Sequence, residues 1–398
     1  NFHFVVRKIY SIFVFKPEKM NMRESLLIKN FGPIREVEID DIRPLTIFIG
    51  ESGSGKSTIM KVLAMFRWIY KMMNIRSYLR FAGISKSPFR FSLSSYIANA
   101  GFDNYLKENS EIVYTKGSCT ISLSRKKMNA KDLVPQEELS LEKISFISDK
   151  RNMIPDILAS NTEKKTANFF LRETFEDFKE AAQKIKTFPI DYLGVQMAVE
   201  KAGNIDKYRI KQMGETKGFS INWEDASSGM QTVTPLSVIV EYFATQYDVT
   251  GALNRSVLKY LSGSDDLKKF RPNQNIGEIQ NRCVNIHVEE PELSLYPESQ
   301  KSLMDFLVHR CFQTAQSYSI NLMMATHSPY IVNYLNLLTK RYEKTPSMPG
   351  IAFADVDVYE ISDGENYSLK VENEQNLIDT RIMSDPISDI YTQFNEME

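Results

Sequence analysis

Eight residues constrain this chain more than any others: Gly50-Glu51-Ser52-Gly53-Ser54-Gly55-Lys56-Ser57. They satisfy the pattern G-x-x-x-x-G-K-[ST] at every fixed position, and the flanking residues suit it. Thr46-Ile47-Phe48-Ile49, just before, is a short apolar run that reads as a buried strand. Just after, Ile59, Val62, Leu63, Phe66, Ile69 and Met73 recur at helical spacing. Strand, glycine loop and helix make a phosphate cradle: backbone N–H groups converge on phosphate oxygens, and the helix N-terminus adds a favourable dipole. Lys56 is placed to reach the β- and γ-phosphates of a nucleotide, and the Ser57 hydroxyl to ligate Mg²⁺. The expected nucleotide-binding set is Gly50, Ser52, Gly53, Ser54, Gly55, Lys56, Ser57 and Thr58, with a nucleotide and Mg²⁺ as the ligands.

The chain's 398 residues suffice for one large α/β domain or two smaller ones. Its 49 basic residues nearly balance its 50 acidic ones, which disfavours a wholly basic nucleic-acid coat and leaves a local patch open. Cys119, Cys283 and Cys311 lack metal-ligand spacing, which points to a reducing, cytoplasmic setting without a disulfide framework. The apolar run Ile9 to Phe15 follows Arg7-Lys8 but is too short to span a bilayer. The bulky, charged Lys16-Pro17-Glu18-Lys19-Met20 after it offers no small-residue cleavage site. Residues 1–22 therefore read as a disordered or artefactual extension, with the folded protein starting near Met20 or Met22, and no membrane association is expected.

From Ser25 to about Tyr70 the order reads strand, turn, strand, glycine loop, helix. Leu26-Leu27-Ile28 and Val37-Glu38-Ile39 are the strands, and Asn30-Phe31-Gly32-Pro33 is the turn. Further strands are expected at Ile112-Val113-Tyr114, Thr120-Ile121-Ser122-Leu123 and Ile144-Ser145-Phe146-Ile147. Asn161 to about Ala202 reads as helical, with Thr162-Glu163 opening it. Tyr208-Arg209-Ile210-Lys211 and Phe219-Ser220-Ile221-Asn222-Trp223 read as a hairpin. Residues 76–225 are thus expected to form a strand and helical subdomain within one domain spanning 23–398.

Three later segments complete the pattern. Val284-Asn285-Ile286-His287-Val288-Glu289-Glu290-Pro291-Glu292 is an apolar strand ending in adjacent carboxylates. Glu289 can hold Mg²⁺ through water, and Glu290 can orient or deprotonate an attacking water. Ala226-Ser227-Ser228-Gly229-Met230-Gln231 opens an apolar helix, so Ser228 and the helix N-terminus could form a second anion site. Ala325-Thr326-His327-Ser328-Pro329 follows the short strand Leu322-Met323-Met324, which puts His327 where a γ-phosphate sensor would sit. A structural role is the alternative for a lone histidine.

In this order, the glycine loop, Ser-Ser-Gly-x-Gln, Glu-Glu-Pro-Glu and Thr-His-Ser-Pro together resemble the ABC-type ATPases of the SMC, RecF and OLD group. The resemblance covers most of Ser25 to Glu398. It implies an α/β P-loop NTPase head domain with a mixed sheet, a helical subdomain and a partner-facing insertion. It also implies a homodimer or higher homo-oligomer in which ATP is sandwiched head to tail. The glycine loop of one subunit would face Ser227, Ser228, Gly229 and Gln231 of the other, with Glu290 and His327 as catalytic residues and Ser57 and Glu289 on the metal. Glu292-Leu293-Ser294-Leu295-Tyr296-Pro297 resembles the following segment of OLD-like members, which usually carry His where this chain has Tyr296.

The chain departs from that pattern in three ways. Glu289 stands where the wider superfamily has Asp, Met230 replaces the second glycine of the signature, and no glutamine lies between Ser52 and Val134 to serve as a Q-loop residue. Phe146-Ile147-Ser148-Asp149-Lys150-Arg151-Asn152 resembles a strand-end segment of OLD-like defence ATPases, and two readings of Arg151 are open: near the active site, or on a basic surface turn. After His327, the carboxylates Asp355, Asp357, Glu360 and Asp363 suit strand edges and a turn better than a nuclease centre. The polar stretch Tyr247 to Ile276 reads either as a solvated loop or as a partner-binding insertion. The expected function is an ATP-hydrolysing switch subunit of an anti-phage defence complex of the Septu or PARIS type, controlling a separate nuclease or toxin. The alternatives are a RecF-like repair ATPase that binds DNA directly and the nucleotide-binding subunit of a transporter.

Overall fold

The computed structural model describes residues 22–84, 97–98, 100–130, 133–160, 168–203, 205–214, 218–262, 270, 272, 275–314, 316–372 and 376–397. Apart from Met22, the expected N-terminal extension lies outside them. Alternation of buried and exposed residues builds the first hairpin, β1 (Glu24–Phe31) and β2 (Ile34–Ile39). The fully buried β3 (Leu45–Ile49) then runs into the glycine loop and α1 (Lys56–Phe81). A second antiparallel group follows, β4 (Leu106–Lys116), β5 (Cys119–Ser124) and β6 (Lys127–Asn129), before β7 (Ser140–Ile147) and the short α2 (Ile154–Ser160). Among the described residues these strands enter one eleven-stranded sheet with β12 (Asn281–Glu289), β13 (Ser319–Thr326), β14 (Val356–Ser362) and β15 (Glu365–Ser368), in the order β6-β5-β4-β1-β2-β15-β14-β3-β13-β12-β7.

The helix expected from 161 to 202 is shorter. Its opening pair Thr162-Glu163 lies outside the described residues. The helix α3 spans Phe169–Lys184, capped by Asn168, whose side chain accepts the Leu171 N–H at 2.8 Å. Beyond Ile185 the apolar period changes from helical to alternating, and β8 (Thr187–Ile190) and β9 (Val195–Ala202) form instead. They join the expected hairpin, β10 (Ile205–Gln212) and β11 (Ser220–Asn222), in a separate four-stranded sheet. Residues 76–225 are therefore distributed: β4–β6 lie at one end of the large sheet, β7 at the other, and β8–β11 in a sheet of their own.

The signature helix is α4 (Ser228–Thr245), and α5 (Val249–Ser262) follows it. The stretch expected to be a solvated loop or an insertion thus begins as a packed helix, with Val249, Val257 and Leu261 buried. Most of its remainder, 263–269, 271, 273 and 274, lies outside the described residues. The chain continues through β12 (Asn281–Glu289), α6 (Pro297–Val308), β13 (Ser319–Thr326) and α7 (Pro329–Lys344). It then inserts β14 (Val356–Ser362) between β3 and β15 (Glu365–Ser368). The two-stranded sheet β16 (Lys370–Val371) and β17 (Leu377–Ile378) precedes α8 (Arg381–Asn395), which the sequence reading did not anticipate. Of the late carboxylates, Asp357 is buried beside Lys370, 3.5 Å away, and Asp363 with Gly364 makes the β14–β15 turn.

From β14 through β3, β13 and β12 to β7 every pairing is parallel. α1 packs on this half and is buried over most of its circumference, as a helix apolar on nearly all sides must be. Its one fully buried charge, Arg67, is paired with Glu24 of β1 at 2.7 Å and touches His287 of β12 at 3.1 Å. Tyr114 of β4 donates its hydroxyl to the same carboxylate at 2.7 Å. Burial opposes ionisation of Glu24, but the charges of Arg67 and Lys116 outweigh it and hold its pKa down at about 2. This network joins α1, and with it the glycine loop, to both halves of the sheet.

Candidate nucleotide site

The loops that follow β3, β7, β12 and β13 leave one edge of the parallel strands, at their carboxyl ends, where open α/β sheets form ligand crevices. In the loop after β3, Gly50, Gly53 and Gly55 have φ of 149°, 84° and 112°. A Cβ at Gly50 would stand 2.3 Å from the Ile361 carbonyl oxygen, so that position demands glycine on space as well as on conformation; at Gly55 a Cβ would meet only the tip of the Ile34 side chain, and the left-handed φ is what asks for glycine. Gly55 is also the N-cap of α1, which leaves Lys56, Ser57 and Thr58 in the first turn with their N–H groups outside the helical ladder. Lys56 is only 5% exposed, and its ammonium donates to the carbonyls of Gly50 and Glu51 at 2.8 and 2.7 Å. Burial lowers its pKa, and Glu290 and Glu292 work against that shift.

At the end of β12, Glu289 is 2% exposed. Its carboxylate lies 3.1 Å from the Lys61 ammonium and 3.5 Å from the Asp149 N–H, and the Ser57 hydroxyl is near enough to help draw its pKa down. Burial raises its pKa first of all, and Lys61 and Ser57 pull the other way. The two residues expected on Mg²⁺, Ser57 and Glu289, are therefore neighbours. A buried carboxylate already matched with an ammonium, beside a hydroxyl at a helix start, suits a divalent cation.

Glu290 adopts a left-handed conformation, φ 44°, unusual for a residue with a side chain. It is held from both sides: its N–H donates to the Ala325 carbonyl at 2.8 Å, and its own carbonyl accepts from Arg151 Nη2 at 2.6 Å. This backbone turn brings its carboxylate to 3.9 Å from His327 Nε2, both side chains being more than a third exposed. His327 is anchored by its backbone N–H, which donates to Glu292 Oε1 at 2.6 Å. Among the described residues, the other oxygen of Glu292 is buried without a hydrogen-bond partner, an acceptor available to a bound group.

Arg151 is fully buried, which settles its two sequence readings in favour of the site. Its guanidinium donates to the carbonyls of Glu289, Glu290, Ser148 and Thr232 at 2.7, 2.6, 3.1 and 2.9 Å. Burial lowers its pKa to about 10, opposed by the carboxylates of Glu292, Asp149, Glu290 and Glu289.

Ser227 is the N-cap of α4, and Ser228 and Gly229 begin the helix. Gly229 packs against the loop after β12: a Cβ there would come 2.9 Å from the Ser294 carbonyl oxygen. Gln231 Nε2 donates to the Glu224 carbonyl at 2.8 Å, and Thr232 Oγ1 to the Leu293 carbonyl at 2.9 Å. Among the described residues, the side-chain hydrogen bonds of Ser227 to Gln231 run to their own surroundings and not to the phosphate loop. The fold therefore brings together the glycine loop, Ser57, Glu289, Glu290 and His327, and places the signature segment behind the carboxylate loop.

Lys61, Glu292 and Thr232 also belong to this arrangement, although the sequence reading assigned none of them a role. Lys61 had a legible signal: four residues after Ser57, it must share that residue's face of α1. The burial of Arg151 had none, because Asp149-Lys150-Arg151-Asn152 reads locally as a polar turn.

Comparison with known proteins supplies the family. The AAA domain family matches residues 25–223, half of the chain, including the glycine loop and Arg151. No curated protein matches it. Solved structures similar to it include an SMC head bound to the C-winged helix domain of ScpA, at 13% identity, TM-score 0.36 and coverage of 88% of this chain and 98% of that one. The SMC head domain from Thermotoga maritima aligns at 12% identity and TM-score 0.34, covering 89% and 100% of the two chains. The recombination mediator RecF aligns at 9% identity and TM-score 0.35, covering 87% and 98%. Among the described residues, no helix is long and apolar enough to cross a membrane. With its glycine loop at the carboxyl edge of a mixed α/β sheet and a family match over 25–223, this chain belongs to the AAA domain family.

Proposed function

We propose that this chain binds ATP with Mg²⁺ and hydrolyses it to ADP and phosphate. The observation that carries the reading is the 3.9 Å approach of Glu290 to His327 beside a glycine loop whose helix meets the buried Glu289 through Lys61 at 3.1 Å. The N–H groups of the first turn of α1 and the Lys56 ammonium bind the phosphates. Ser57 and Glu289 would hold Mg²⁺, which when bound neutralises charge on the phosphate oxygens. Glu290 orients the attacking water and takes its proton, and His327, fixed through its own N–H, donates to the phosphate oxygen on which charge gathers.

Hydrolysis serves a switch. Ser227, Ser228, Gly229 and Gln231 act on the nucleotide of a second copy, in a head-to-tail homodimer. The placement of the signature segment behind its own carboxylate loop supports an action outside its own subunit. The Glu-Glu-Pro-Glu form and the buried Arg151 support an OLD-like affinity, and through it a cytoplasmic anti-phage defence complex whose separate nuclease or toxin is governed by nucleotide state. Of the late carboxylates, Asp355 ends a short 3-10 turn, Asp357 and Glu360 lie on β14 and Asp363 in the turn after it, a spread that supports placing that chemistry on a partner.

The test is calorimetric titration of ATP into wild type and Lys56→Ala, together with phosphate release by wild type. The expected result is tight binding and turnover by wild type and loss of binding by a folded Lys56→Ala. Equal affinity in the two proteins would overturn the assignment.

A further inference from the structure

Arg151 is a buried cation whose four described hydrogen bonds all go to main-chain carbonyls, none to a carboxylate. A guanidinium is a rigid planar fork, so the groups it bonds are fixed relative to one another. Here they come from three places: Ser148 after β7, Glu289-Glu290 at the end of β12, and Thr232 in the first turns of α4. Glu290 is the residue whose backbone most needs such support. Its left-handed conformation is sparsely populated for a residue with a side chain and persists only where surrounding bonds over-determine it. Ala325 fixes its N–H and Arg151 its carbonyl. A second strut runs alongside, from Thr232 Oγ1 to the Leu293 carbonyl three residues further on.

From this geometry we propose that Arg151 is a positioning residue for hydrolysis. It carries the position of the signature helix α4 to the peptide of Glu290, so that the general base is aimed only when α4 is in place. The proposal rests on the reading of Glu290 as the base. When contact with a second copy or a partner moves α4, the Thr232 carbonyl moves, and the planar fork takes the Glu290 carbonyl with it. Thr232 is bonded through its backbone oxygen, so the link reads the path of the helix and not the identity of a side chain.

The experiment is a double-mutant cycle on ATP turnover. Arg151→Lys keeps the charge but replaces the fork with a single ammonium. With folding verified by circular dichroism, it should lower kcat at least 30-fold while KM and ATP affinity stay within threefold. In a Glu290→Gln background the same substitution should change the residual rate by less than threefold, because a misaimed base that is already absent costs nothing further. A merely structural arginine would give equal effects in both backgrounds, and that result, or an unchanged kcat, overturns the proposal. Loss of affinity with kcat retained would make Arg151 a binding residue and also overturn it. If Arg151→Lys does not fold, Thr232→Val, which removes the parallel strut and the Oγ1 bond to the Gly229 carbonyl and leaves the Thr232 carbonyl to Arg151, decides on the same readout. A smaller fall in kcat that vanishes in the Glu290→Gln background supports the proposal, and an additive effect or none overturns it. A wild-type chain that binds ATP without turnover would remove the parent reading of Glu290 itself, an outcome distinct from the failure of Arg151 alone.

Discussion

The ammonium of Lys61 stands 3.1 Å from the buried carboxylate of Glu289, one helical turn beyond Ser57. It is the nearest described cation to the oxygen expected to serve Mg²⁺. Lys61→Met should leave Glu289 as a buried charge without its partner. Because the Lys61 side chain is 25% exposed, the cost should fall below that of a fully buried pair, on the order of 1–3 kcal/mol. The loss should be read as a lower Tm in metal-free buffer and should shrink when Mg²⁺ and a non-hydrolysable ATP analogue are added. A deficit that is the same with and without the metal would show that Lys61 and Mg²⁺ do not serve the same carboxylate.

Glu290→Gln keeps the side-chain shape and removes the base. Turnover should fall roughly 10²–10⁴-fold with ATP binding retained, and the closed dimer should accumulate on sizing chromatography with ATP. Ser228→Arg should block turnover while leaving nucleotide binding by the single chain near normal. Mixing Ser228→Arg with Lys56→Ala should regain part of the activity, since one composite site would then be intact. Wild-type turnover by Ser228→Arg would rule out the head-to-tail arrangement.

Acid stability should depend on Glu24. Its pKa is depressed to about 2 from the model-peptide value of 4.5, so folding gains stability that is fully present above pH 4.5 and is lost as pH falls towards 2. A shift of that size corresponds to about 3 kcal/mol. Glu24→Gln should therefore be less stable than wild type at pH 7, and the gap should close on acidification through that window, followed by urea unfolding at several pH values. A gap constant with pH would place the Arg67 pairing outside the stability balance.

If Tyr247 to Ile276 were a solvated loop, replacing it with a Gly/Ser link would leave the fold unharmed. The structure argues against a neutral outcome, because α5 buries Val249, Val257 and Leu261. Leu261→Ala should cost on the order of 2–5 kcal/mol. A change within 0.5 kcal/mol by urea unfolding would return the segment to the status of a surface loop.

The parts of this molecule that were legible in the sequence are those whose determinants are local. The glycine loop, the apolar strand before Glu289 and the Met-rich strand before His327 announce themselves by period and punctuation, and the fold places them at one edge of the sheet. The helix predicted to reach Ala202 stopped at Lys184 because the charged, phenylalanine-rich pattern of α3 gives way to alternation around Pro189, a change of period within one polar-looking stretch. Arg151, Lys61 and Glu292 acquire their places only through tertiary contacts. No window around Arg151 could show that Thr232 and Glu290, 81 and 139 residues away, would supply its acceptors.

The order of strands sets a schedule for synthesis. β3, complete by Ile49, pairs on one side with β13 and on the other with β14, and neither exists until residues 319–362 have been made. For most of translation the strand that presents the glycine loop has no sheet neighbours, and its buried face of Leu45, Ile47 and Ile49 has nothing lasting to pack against. Such late, non-local pairing slows folding and exposes intermediates to aggregation. A product cut short before Val356 would lack one wall of the strand that presents the glycine loop.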